Sequence, residues 1–460
     1  MCRYILVWIL CCALSLPDAA FAQTSRRPAQ PVALVGGMLL DGYESEPLHH
    51  AVVVFENGRI TAVGAAHEIE IPDNAIRINV AGKTVMPGLI DAHVHVDLIG
   101  HGDYDRYYNF LGGMKRLDDA MPIAAKQMLR AGVTSAIDLG TPLEIIPFRE
   151  RIRDGELPGP RLTVSGPWIT RTYLAGVPDA YQIIIDSPRE AARQTNVLID
   201  AGVDVIKTWV GLTVDDYRAV VKAAHARDVK VHAHLYKPDA IRAAIDAGVD
   251  VFQHVGSAKN PPYADALINE IAHKNIPIVQ TIAHRIWVYP ATVEFPGRLY
   301  DPIYAADMPA DFYAEFIDSF ENFERLDYFR AVGREIRNSK VAARQFIDGG
   351  AYIGVGTDAA SPLNTHLDAM WFELSALVES GMTPIQVLSA ATKTNAEILG
   401  QFKDIGSVEV GKLADLIVVD GNPLADIDTL RRIPVVIKDG AIWHNGSNQD
   451  PALVEHGHAF

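Results

Sequence analysis

Cysteine is almost missing from the 460-residue chain: Cys2, Cys11 and Cys12 are the full complement. Beyond residue 12 the chain has no disulfide, no thiolate ligand and no cysteine nucleophile to offer. A serine elbow of the form GxSxG is also absent, which argues against a covalent serine mechanism. The apolar run Tyr4–Leu16 is too short to be a comfortable membrane span, and no other segment is long and apolar enough to cross a bilayer. Positive charge is in short supply too. With 41 Lys and Arg against 57 Asp and Glu, the formal charge is −16, a poor match for nucleic acid or an anionic membrane surface. That balance suits cations, whether metal ions or positively charged substrates.

The remaining composition is that of a globular protein, 49% hydrophobic and 21% charged with 35 Gly and 27 Pro. At this length the chain forms either one large barrel or two domains. Residues 1–22 read as a signal peptide: Arg3 supplies the positive start, Tyr4–Leu16 the apolar run, and Ala20-Phe21-Ala22 the small-x-small cleavage pattern. The expected location is therefore periplasmic or secreted, with no membrane span after processing.

Pro31–Val85 alternates short β-rich runs with turns such as Asn57-Gly58, and Asp404–Asn445 repeats that texture. The expectation is one small β domain built from both chain ends, residues 23–85 plus 403–450. Between them, over 86–402, apolar strand patterns at Met86–Asp91, Thr134–Leu139, Leu162–Ser165, Val203–Val210, Val229–Leu235, Val249–His254, Ile276–Thr281 and Tyr352–Thr357 alternate with helical ones. Eight strands with crossovers predict an α/β fold, a (β/α)8 TIM barrel, whose chemistry sits where the strands end.

Those strand ends carry the informative residues. His93 and His95 form an HxH pair, and alternate strand residues share a side, so both imidazoles can converge on one cation. Lys207 lies in an apolar run where burial penalises its ammonium, and a neutral amine there can take up carbon dioxide as a carbamate. His232 and His234 end the fifth strand, His254 the sixth and Asp358 the eighth. Each alone has an ordinary structural reading. Together they form a metal-ligating set.

This set resembles the amidohydrolase superfamily, and most of all its prolidase-like, ochratoxinase and Xaa-Arg carboxypeptidase branch. The likeness rests on Met86-Pro87-Gly88-Leu89-Ile90-Asp91-Ala92-His93-Val94-His95, Val205-Ile206-Lys207, Lys230-Val231-His232-Ala233-His234, Gln253-His254, Gly356-Thr357-Asp358 and the closing run from Gly406 to Val419. It implies a distorted barrel with a small β-sandwich from both ends. It also implies two divalent metal ions, zinc by default: His93, His95 and Asp358 on the buried one, His232 and His254 on the outer one, and N6-carboxylated Lys207 between them. His234 is the alternative strand-five ligand, because the 232–254 separation is two residues longer than expected. Single-metal relatives carry Glu three residues after the strand-five histidine; counted from His232, Leu235 stands there, which favours a binuclear site.

The implied reaction is hydrolysis of a C–N amide bond, in a dipeptide-like or N-acyl amino acid substrate, by a hydroxide bridging the metals, with Asp358 moving the proton and His254 assisting. A lactone or cyclic-amide hydrolase on the same site is the alternative, and a non-catalytic binding protein a third reading. The partner is a small molecule. His234, Tyr107 and Arg285 are candidate substrate-facing residues, with Arg106, Arg171 and Arg298 as further carboxylate binders. The aromatic-rich insertion at 284–338 is a candidate lid, with 311–347 expected to be amphipathic helix.

Overall fold

The computed structural model describes residues 28–257, 262–322 and 326–444. The signal-peptide reading at 1–22 falls outside the described residues.

Five strands come from the N-terminal part: β1 (Val32–Leu39), β2 (Leu48–Glu56), β3 (Arg59–Ala65), β4 (Ile76–Asn79) and β5 (Thr84–Pro87). Next, β6 (Leu89–Val94), β7 (Val133–Asp138) and β8 (Arg161–Val164) form a three-stranded parallel sheet. Then β9 (Trp168–Thr170), β10 (Gln182–Ile184), β11 (Val205–Thr208), β12 (Lys230–His234), β13 (Val251–Gln253), β14 (Ile278–Gln280) and β15 (Ile353–Val355) form a seven-stranded parallel sheet in the order β10-β9-β11-β12-β13-β14-β15. Finally β16 (Leu416–Val419), β17 (Val435–Lys438) and β18 (Ala441–His444) return to the first strands, giving one eight-stranded sheet, β18-β17-β16-β5-β1-β2-β3, with β4 beside β1. Both chain ends thus share one sheet.

The strand expected over Met86–Asp91 is divided. β5 pairs with β16 in the end sheet, whereas β6 pairs with β7. Gly88 is the handover point, because a Cβ there would meet the Thr134 side chain at 2.2–2.8 Å. Helices between the parallel strands follow the sequence closely. Thr213 caps Val214–His225 in a capping box with Asp216, and Gly202 and Gly248 end their helices in the left-handed conformation. The strands beneath are apolar on both faces, as a sheet covered by helices requires. Fully buried Ile206, Val231, Phe252 and Ile278 each stabilise the fold by roughly 1.5–3 kcal/mol.

The first and last parallel strands are joined. His95 N donates to Ala359 O, and Thr357 N and Asp358 N donate to His93 O. Buried Asn395 completes the seam. Its amide donates to Ile90 O (2.6 Å) and Val355 O (2.7 Å) and accepts from Val355 N (3.0 Å).

The insertion is helical: Tyr289–Glu294, Pro302–Ala305, Ala310–Asp318 and Asp327–Asp348, as the amphipathic reading of 311–347 anticipates. It is pinned down by ion pairs, Arg106–Glu315, Arg116–Asp311 and Arg298–Asp368 among them.

Candidate metal centre

β6 delivers His93 and His95 to the end of the sheet, and β15 delivers Asp358 beside them. The Asp358 Oδ1 atom lies 3.2 Å from His95 Nε2 and 3.6 Å from His93 Nε2. On the other side its Oδ2 lies 3.9 Å from Nε2 of His284, a buried residue just beyond β14. Donor atoms of His93, His254 and Asp358 all fall within 4.8 Å of one another. Two imidazoles and a carboxylate so placed fit a divalent cation.

Two of these residues depend on unusual backbone. Successive strand residues point to opposite faces. His254 (φ +68°) and Asp358 (φ +53°) adopt the left-handed conformation at the ends of β13 and β15, which turns the chain there. Non-glycine residues enter that region only at a cost. Gly356 allows the close approach of β15 to β6, since a Cβ on it would sit 2.7 Å from His93 Cβ.

Asp91 braces the pair from below. It accepts from His93 N (3.1 Å), Thr357 N (3.0 Å) and Thr357 Oγ1 (2.7 Å). Burial raises its carboxyl to about 7. Asp138 accepts from Val96 N (2.7 Å) and Thr141 N (2.9 Å), fixing the turn after His95. Asp358 itself is pushed up by burial, but the surrounding imidazoles, His95 first, reverse that and hold it well below the usual carboxylate range.

Lys207 is 1% exposed, and its Nζ has no hydrogen-bond partner among the described residues. Burial lowers its amine to about 7. An orphaned buried amine is costly unless something else is bound to it, so the site fits a further group at Nζ.

The two strand-five histidines differ. His232 is fully buried, with Nδ1 3.0 Å from Gln253 Nε2, and its Nε2 has no partner among the described residues. The His234 ring lies edge-on to that of His254, with centroids 4.5 Å apart. Gln253 also accepts from His93 Nδ1, at 2.8 Å. The sequence places Gln253 in a motif without marking this bridging role, because one amide next to a histidine carries no spacing signal. His284 was missed for a similar reason: it belongs to no HxH pair.

The substrate-facing candidates fare differently. Tyr107 is completely buried, its ring stacked on His101 and its hydroxyl donated to Asp97 O at 2.7 Å, so it braces the loop after β6 instead of facing a ligand. Arg106 is bidentate on Glu315, Arg171 on Asp216, and Arg298 bonds Asp368, which corrects their reading as open carboxylate binders. The side chain of Arg285 lies outside the described residues. Aromatic surface comes from the strand ends: Trp168 packs on Trp209, Trp209 on His234, and Tyr236 on both His234 and His254.

Comparison with known proteins identifies the family. Ochratoxinase of Aspergillus niger is 25% identical over 94% of this chain and 90% of its own length. Imidazolonepropionase of Streptomyces coelicolor is 24% identical over 86% and 91%. Among solved structures, an amidohydrolase at 27% identity superposes with a TM-score of 0.71, covering 91% of this chain and all of the other. Residues 84–442 match the model of the amidohydrolase family. The chain belongs to that family and is a metal-binding hydrolase of carbon–nitrogen bonds.

Proposed function

We propose that the protein hydrolyses the amide bond of dipeptide-like or N-acyl amino acid substrates at a site for two divalent cations, zinc by default. The fold reading that goes with it is a closed (β/α)8 barrel with a small β-sandwich from the two chain ends, exported to the periplasm or beyond by residues 1–22. His93, His95 and Asp358 hold the inner cation. For the outer one we assign His234 with His254, in place of His232. The His234 ring is the strand-five imidazole next to His254, whereas His232 accepts at Nδ1 from Gln253 Nε2, which leaves its Nε2 protonated and without a lone pair for a metal. Lys207, carboxylated, spans the two. The observation that carries this reading is the convergence of His93, His254 and Asp358 in one cluster, with a buried lysine whose Nζ has no hydrogen-bond partner among the described residues.

Bound divalent cations lower the pKa of a water and polarise a carbonyl. The chain's own residues do the rest. Asp358, kept ionised by its imidazoles, takes a proton at its carboxylate and returns it to the leaving amine nitrogen. Thr281 Oγ1, 2.8 Å from His254 Nδ1, holds that ring in place, so that its other nitrogen can serve as the ligand. Trp168, Trp209 and Tyr236 offer an aromatic wall, which favours a bulky or aryl acyl group over a small one. Names of similar proteins fit amide cleavage: ochratoxinase, and a Xaa-Pro dipeptidase structure with methionine in its active site, at 22% identity.

The test is metal analysis combined with a panel of N-acyl amino acids and dipeptides. About two equivalents of metal per chain and turnover of aromatic N-acyl substrates are expected. A protein that binds no metal after reconstitution, or that loads fully and cleaves none of the panel, would sink the assignment.

A further inference from the structure

Gln253 reaches two histidines with the two ends of one amide. Its Oε1 is 2.8 Å from His93 Nδ1, and its Nε2 is 3.0 Å from His232 Nδ1. A neutral imidazole has one N–H and one lone pair, whereas an amide oxygen only accepts and an amide nitrogen only donates. The arrangement therefore fixes both tautomers. His93 carries its proton on Nδ1 and presents a lone pair at Nε2, the atom nearest Asp358. His232 accepts at Nδ1, so its proton sits on Nε2. The opposite amide orientation would place the His93 proton on Nε2 and remove the lone pair that the cation cluster needs.

The Nε2–H of His232 is consequently a buried donor, and it has no acceptor among the described residues. Lys207 Nζ is in the same position. The two residues are register partners on β11 and β12, so their side chains leave the same face of the sheet next to each other. Two adjacent buried donors without an acceptor are an incomplete network. Carboxylation completes it. The Lys207 nitrogen lone pair adds to the carbon of dissolved carbon dioxide. An N–C bond forms, one C=O electron pair moves onto oxygen, and one proton leaves the nitrogen for water. The carbamate keeps one N–H and adds two acceptor oxygens.

We infer that His232 is a positioning residue that donates from Nε2 to the Lys207 carbamate, with its tautomer set by the Gln253 bridge to His93. This goes beyond the proposed carboxylation of Lys207 and rests on it. It also explains why His232 fits poorly as a ligand: a lone pair at Nε2 is incompatible with the donation it receives at Nδ1.

The experiment uses the full, metal-loaded protein, with ¹⁵N-histidine labelling and ¹³C-bicarbonate. The wild type is expected to show a carbamate carbon and a His232 ring protonated at Nε2, assigned by loss of its signal in the substituted chains. His232→Leu should need about tenfold more bicarbonate for the same carbamate occupancy, while His232→Asn, which keeps an N–H donor, recovers most of the difference. A leucine variant that carboxylates at the wild-type bicarbonate level overturns the inference and leaves the two-cation reading standing. Should the leucine variant fail to fold, the wild-type ring decides: a proton on Nδ1 rejects the assignment. A wild-type chain without any carbamate rejects both readings together.

Discussion

Gly356 lies so close to His93 that a methyl group on the glycine would meet the His93 Cβ at 2.7 Å and its backbone N at 3.0 Å. Gly356→Ala should therefore overpack the seam between β15 and β6, destabilising the fold by about 1–3 kcal/mol. Because the displaced atom belongs to a cation-site histidine, metal affinity should fall with it. Urea unfolding and a metal titration measure the two effects; an unchanged midpoint with full metal binding would contradict the contact.

Asn395 offers a cleaner test of how the first and last parallel strands are held. Its three hydrogen bonds to Ile90 and Val355 backbone are all buried. Asn395→Ala leaves those backbone groups unpaired and should cost at least about 2 kcal/mol. Hydrogen exchange should show the loss concentrated in β6 and β15.

Those strands also mark how far the sequence could be read. The parallel strands and their helices were legible because apolar runs of four to eight residues alternate with strong capping signals, such as Thr213 with Asp216. β9 and β10 were not, since three residues each of Trp-Ile-Thr and Gln-Ile-Ile carry no period. The metal-ligand candidates were legible from their positions at strand ends. Their supports were not: Asp91, Gln253 and Asn395 act largely through hydrogen bonds to residues 40 to 305 positions away, and no local pattern encodes such a partner.

The insertion is held by a second buried cluster. Arg298 donates to Asp368 at 2.8 Å, and Tyr304 donates to the same carboxylate at 2.6 Å. Arg298→Met removes one partner of a mostly buried pair, for which a loss of about 3 kcal/mol is expected. The loss should be local. Limited proteolysis within residues 284–305 should accelerate while exchange in β11 to β13 stays unchanged.

A pH effect arises from Arg171 and Asp216. Burial pushes the Asp216 carboxyl up, but the Arg171 guanidinium and the Thr213 hydrogen bonds outweigh it and hold the group below its usual value. A carboxylate lowered in the folded state stabilises the fold above its unfolded pKa, and that contribution is lost as the pH falls through the folded value. Arg171→Met should thus be less stable than the wild type near neutrality, with the difference shrinking in acid. Urea midpoints tracked downward from neutral pH give the comparison; a gap that stays constant would refute it.

The positive φ angles at His254 and Asp358 determine which replacements are informative. A β-branched residue at either position must first rebuild the turn, so lost activity in a valine variant would mix two causes. Asparagine tolerates this backbone basin. His254→Asn and Asp358→Asn therefore alter the donor atoms while leaving the chain path alone, and they are the substitutions through which coordination chemistry can be dissected apart from backbone shape.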